Sequence, residues 1–179
     1  VLGTVDPTFK VSVNLSVRNL YEPDFLSWLL EQLEANAVAP ERLRVEITET
    51  TIMDDQSAAI ELVRALGEHG IRTWIDDFGT GHSSLARLRS LPVHGVKIDR
   101  SFVANAEKSA ADRMILRGLV QLVRSMELDV VAEGVETAGG LEFLRDEGCP
   151  LAQGFLLGMP MPCDELQQIV HASQQRGAA

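Results

Sequence analysis

Trp74-Ile75-Asp76-Asp77-Phe78-Gly79-Thr80-Gly81 decides how this chain is read. An apolar run over residues 72–76 ends in adjacent carboxylates and passes into a glycine loop. Two like charges roughly 4 Å apart cost on the order of 4 kcal/mol at an effective dielectric near 20, a large share of a domain's stability. Two readings stand. A divalent cation neutralises the pair, or the residues form a solvated turn whose Asp caps the next helix.

Outward from that stretch, short β-branched runs alternate with amphipathic patterns. Strands are expected over residues 10–15, 43–48, 72–76, 95–98, 129–132 and 151–155. Pro23 sits early in the first helical pattern, whose apolar face is Phe25, Leu26, Leu29, Leu30 and Leu33. Asp54 or Asp55 caps the second, which buries Ile60, Val63 and Leu66 and stops near Gly70, with His69 at its end. Ser83 or Ser84 opens a short helix through Leu85 and Leu88 that ends before Pro92. A longer one carries Ile115, Leu119, Leu122, Val123 and Met126. Thr137 caps the next, around Leu141 and Leu144, and Asp164 the last, with Leu166, Ile169 and Val170 turned inward. Alternation with short connections predicts a parallel sheet covered by helices. Six βα units fit in 179 residues, whereas a closed eight-unit barrel usually needs about 250. The chain opens on Val1 and reads as one domain over 1–179, a piece of something longer with two units absent from its front.

Composition narrows the function. Hydrophobic content of 45% and charged content of 23% describe an ordinary soluble domain. No apolar run reaches the roughly 18 residues of a membrane span, and no secretory signal layout opens the chain, so no direct membrane insertion and a cytoplasmic setting are expected. Cys149 and Cys163 have no metal-ligand spacing and read as small buried hydrophobes. Net charge is −10 with 16 scattered basic residues, which argues against long nucleic acid as a partner. A small anionic ligand reached through metal ions stays open.

Polar residues recur at the ends of the expected strands. Asn14 and Ser16 close the first and Glu46 lies late in the second. Asp76 and Asp77 close the third, and Lys97 and Asp99 the fourth. Glu133 and Glu136 follow the fifth, and Gln153 lies in the sixth. Strand C-terminal ends are where barrels and α/β sheets gather ligand groups. The donors are hard oxygens, which select Mg²⁺ or Mn²⁺ over zinc, and His69, His82, His94 and His171 show no paired spacing. Lys97 either balances the acids or orients and helps deprotonate water beside a pair of ions. Two look-alikes fail. Ser84 stands where a dinucleotide loop needs its third glycine, and Asp77-Phe78-Gly79 lacks the loops that accompany it in kinases.

Six segments, in order, resemble the EAL domains, bacterial phosphodiesterases that open cyclic di-GMP. They are Val13-Asn14-Leu15-Ser16, Val45-Glu46-Ile47-Thr48-Glu49-Thr50, residues 75–85, Val96-Lys97-Ile98-Asp99-Arg100-Ser101-Phe102, residues 130–137 with Glu133 and Glu136, and Gln153-Gly154-Phe155. The resemblance implies a TIM-like barrel of the EAL type with one reversed strand. It implies Asn14, Glu46, Asp76 and Asp77 as ligands of two Mg²⁺ or Mn²⁺ ions, with Asp77 shared between them and Glu133 in the metal environment. By the same match Lys97 and Glu133 hold the attacking water, Glu136 steadies the loop after Asp77, and Gln153 lies near the second ion. Residues 76–85 correspond to a loop used for metal positioning and homodimer contact. The implied product is linear pGpG, and the implied setting is a parent protein with attached sensory or signalling domains. The Glu-Ala-Leu tripeptide that names the family is absent, as is a neighbouring arginine, and His82 replaces the usual Tyr. An inactive cyclic di-GMP receptor is the alternative; it predicts lost ligands, and the available part has lost none. The segment by itself is expected to be inactive, since a barrel short of two strands exposes its edges.

Overall fold

Six strands lie side by side in chain order: β1 (Val11–Leu15), β2 (Leu43–Thr48), β3 (Arg72–Phe78), β4 (Gly95–Ile98), β5 (Asp129–Ala132) and β6 (Leu151–Ala152). Every neighbouring pair is parallel. The computed structural model describes residues 9–80, 85–107 and 109–177. Among these, no reversed strand occurs and the sheet is open, with β1 and β6 at its edges. Helices fill the connections: α1 (Val17–Leu20), α2 (Phe25–Ala35), α3 (Glu49–Asp54), α4 (Gln56–Glu68), α5 (Leu85–Ser90), α6 (Arg100–Ala106), α7 (Ala110–Ser125), α8 (Ala138–Asp146) and α9 (Cys163–Gly177).

The two faces of the sheet differ in chemistry. Val45, Ile47, Ile75, Val96, Ile98, Val130 and Ala132 are buried in one core with Val63 and Leu66 of α4 and Leu116, Val120 and Val123 of α7. The other face is polar. Register sets Asn14 beside Glu46, Glu46 beside Trp74, Trp74 beside Gly95 and Gly95 beside Asp129. Near the base of that face the Arg44 guanidinium lies 4.8 Å from the Trp74 ring centroid. Gly95 makes room for the ring, since a Cβ there would lie 2.8 Å from it and 3.0 Å from the Asp129 carbonyl oxygen.

Side-chain caps fix where helices start. Asp55 accepts from the Ala58 N–H, Asp99 from Ser101, Ser109 from Asp112 and Thr137 from Gly140. His69 follows α4 and Gly70 turns the chain at φ +82.

Several sequence expectations are corrected. Pro23 lies in the turn before α2, and Asp24 takes the N-cap position. The third strand runs on to Phe78, so both carboxylates lie within it. The sixth stops at Ala152, because Gly154 bends against the Val135 backbone, where a Cβ would lie 2.2 Å from the amide nitrogen. Short α3 and α6 appear between elements expected to follow one another directly. In α7 the buried stripe is Leu116, Val120 and Val123; Ile115 lies about 100° round the helix and is 47% exposed. The last helix begins at Cys163, which is exposed, with Asp164 inside its first turn. Leu166 and Ile169 of α9 are exposed too, where the sequence pattern had them packed inward. Ser83, Ser84 and the loop start at Gly81 lie outside the described residues.

Gly95→Ala should therefore overpack the Trp74 layer and cost about 1–3 kcal/mol, read as a lower urea midpoint. His94 supplies a pH test. Its Nδ1 accepts the Thr73 backbone N–H at 3.3 Å, and burial, aided by Arg72, lowers its pKa against the opposing pull of Asp129. A lowered folded pKa stabilises above the unfolded value near 6.5, and that increment is lost as pH falls through the folded value. The wild-type urea midpoint should fall across that window, and His94→Phe should flatten this component of the slope.

Candidate functional site

Lys97, on β4 and 5% exposed, sends its ammonium into the polar face. Its Nζ donates to Glu46 Oε2 at 2.7 Å, Asp76 Oδ1 at 3.0 Å and Glu133 Oε1 at 2.7 Å. Those carboxylates come from β2, from β3 and from the residue after β5, so one cation ties three strand ends together. Burial alone would lower the lysine pKa, but hydrogen bonds with Glu133, Glu46 and Asp76 outweigh it and hold it above its ordinary range. The ammonium is thus a fully engaged donor here. Glu133 is pushed up by burial first and by Asp76 and Glu46, against the opposing pull of Lys97.

The next carboxylate reaches the group through a backbone irregularity. Strict alternation would turn Asp77 to the face opposite Asp76. A register shift between Ile75 and Phe78, with Asp77 at φ +54, breaks the alternation. A non-glycine residue in that conformation costs roughly 1–3 kcal/mol and marks a site where geometry matters. The Asp77 N–H donates to Asp76 Oδ1 at 3.1 Å. Asp76, Asp77 and Glu133 each place one oxygen within 4.8 Å of the others. Burial first, then Asp76 and Asp99, raises the Asp77 pKa.

This donor set fits a divalent cation. One ammonium against Glu46, Asp76 and Glu133 leaves two negative charges, and Asp77 adds a third. All donors are hard oxygens, suited to Mg²⁺ or Mn²⁺. Asn14 sits one strand away in register with Glu46. Glu136 and Gln153 line a cavity of about 470 Å³ together with Asp77, Asp99, Arg100 and Glu133. The eight residues singled out from sequence therefore occupy one end of one face, four of them as a directly bonded cluster.

Glu49, quoted in a matching segment, was given no role from sequence. At the first position of α3 and 6% exposed, it accepts the Gly79 N–H at 3.4 Å through Oε2. Its Oε1 is buried without a partner among the described residues. Among the described residues, the Glu49 carboxylate reaches the loop after Asp77, and Glu136 lines the cavity. The signal was present as Glu46-x-x-Glu49, an acid in the apolar strand–helix junction. Of the expected dimer loop over 76–85, His82 and the other residues of 81–84 lie outside the described residues.

The chain matches the EAL domain over residues 2–160. An uncharacterized signaling protein of Caulobacter vibrioides is 42% identical over 157 residues, covering 88% of this chain and 19% of that protein. Cyclic di-GMP phosphodiesterase NbdA of Pseudomonas aeruginosa is 39% identical over 163 residues, 91% of this chain and 21% of that protein. Among solved structures, the PaMucR phosphodiesterase in complex with c-di-GMP superposes with a TM-score of 0.82 at 39% identity, covering 88% of this chain and 64% of that one. The chain spans about a fifth of the length of those two relatives. The fold is accordingly α/β, an incomplete TIM-like barrel of six parallel strands.

Removing the ammonium tests the charge balance. Lys97→Met should destabilise the metal-free chain by about 3–5 kcal/mol, because three carboxylates lose their cation. Added Mg²⁺ should restore part of the thermal midpoint, and equal melting with Mg²⁺ or EDTA would contradict the arrangement.

Proposed function

We propose, since this chain belongs to the EAL domain family, that its site hydrolyses cyclic di-GMP to linear pGpG within a complete domain that holds divalent metal ions. The observation that carries this reading is the Lys97 cluster, with Glu46, Asp76 and Glu133 bonded to one ammonium and Asp77 beside them at the wall of a cavity. The names of NbdA and PaMucR support the substrate.

Glu46, Asp76, Asp77 and Glu133, with Asn14, would hold Mg²⁺ or Mn²⁺, in one site or two. Bound there, the metal would supply Lewis-acid stabilisation of charge building on the phosphoryl oxygens. Lys97 keeps the carboxylates pointed at a common centre. Glu133 would take the proton of the attacking water and return it to the departing ester oxygen, so that the phosphodiester opens to a phosphate monoester and a free hydroxyl. Gln153 and Glu136, on the cavity wall, orient water and ligand. Glu49 and the strained Asp77 backbone fix the approach of the loop that carries the second aspartate.

In this reading residues 1–179 are part of a single domain, the parent joins it to other signalling modules, and residues 76–85 serve a homodimer. The described residues contain no helix long and apolar enough to cross a membrane. The open six-stranded sheet on its own should turn over no substrate at a useful rate.

In the full-length parent with Mg²⁺, cyclic di-GMP should yield pGpG by chromatography, and EDTA should stop the reaction. Asp76→Asn should slow turnover at least a thousandfold with an unchanged thermal midpoint. Near-normal turnover by that variant would sink the reading.

A further inference from the structure

We propose that Arg100 is the residue that binds a phosphodiester of the ligand, a role resting on the reading above that the cavity takes a cyclic dinucleotide. The cavity wall holds Asp77, Asp99, Glu133 and Glu136, and Arg100 is its one cation among the described lining residues. A ligand with two phosphodiesters entering four carboxylates needs positive charge beyond the Lys97 cluster, whose ammonium is already committed to three acids.

Arg100 is not a balancing charge for its neighbours. Among the described residues its guanidinium makes no hydrogen bond and no ion pair, although its field is felt by Asp77 and Asp99. The Asp99 carboxylate is instead engaged by the Ser101 N–H at 3.0 Å. An arginine paired for stability would close on one of these acids; this one leaves its donors open.

Its base is nevertheless fixed. Arg100 is the first residue of α6, directly after the Asp99 cap. Its Cβ fills the space beside Gly134, where a glycine Cβ would lie 2.3 Å away, and Gly134 holds φ +70. The loop that bears Glu133 therefore seats the arginine stem, and the planar fork is left for a partner. A guanidinium matches two phosphate oxygens at once, a geometry that an ammonium does not reproduce.

The test uses the full-length parent. Arg100→Ala keeps the Cβ that packs on Gly134, so its thermal midpoint should not move. We expect its dissociation constant for cyclic di-GMP, measured by calorimetry in EDTA, and its KM in Mg²⁺ to rise at least tenfold with kcat within about threefold. Arg100→Lys should recover only part of the loss. An unchanged dissociation constant and KM, or a fall in kcat alone, would overturn the assignment. A wild-type parent that binds cyclic di-GMP without cleaving it would fail the hydrolytic reading, and the binding comparison would still decide Arg100. Where the wild type binds too weakly without metal, the KM comparison decides it.

Discussion

One buried ammonium shared by three carboxylates holds this site together. Lys97 reaches Glu46, Asp76 and Glu133, which lie between 21 and 51 positions away along the chain and meet only because β2, β3, β4 and β5 are neighbours in register. A slip of one residue in any of these strands would turn its acid toward the helices. The cluster is a poor choice for stability alone, since well-packed apolar groups often do as well as buried ions or better. Packing alone does not account for such a cluster on a face that could otherwise be apolar.

Backbone irregularity completes what register begins. Parallel strands deliver one side chain in two to a given face, so adjacent acids cannot both arrive by alternation. The shift in β3 and the left-handed Asp77 solve that problem locally. The strain must be held in place, and Glu49 does so from beneath by accepting the Gly79 N–H. The order of causes is plain: α3 starts one residue after β2, its first residue is an acid, and that acid reaches the loop two residues beyond Asp77.

Much of this was legible in the sequence because the signals are local. β-Branched runs gave six strands, though not the ends of the third at Phe78 and the sixth at Ala152, and Asp55, Thr137 and His69 marked helix ends by chemistry that needs no distant partner. The polar residues at strand ends were legible for the same reason, and the sheet then brought them together. What was hidden depended on tertiary context. Nothing in Ile115 or Leu116 says which of two adjacent apolar positions meets the sheet. Glu49 stood in a matching segment without a role, because α3, which it opens, was not expected. The inward turn of Leu166 and Ile169 presupposed a packing partner, and both are exposed.

Charge explains why these parts form a conditional device. The chain is acidic overall, its cavity is acidic, and its proposed ligand is a dianion. Without added cations the field at the site opposes entry, because Lys97 is consumed internally and Arg100 stands alone on the wall. Divalent ions at Asp76, Asp77 and Glu133 would reverse the sign of one end of the cavity while leaving the other to the guanidinium. Binding and chemistry would then depend on the same ions. Lys97 alone cannot do this, since its charge is one and its acids carry three. The acids are arranged for more positive charge than the chain itself provides.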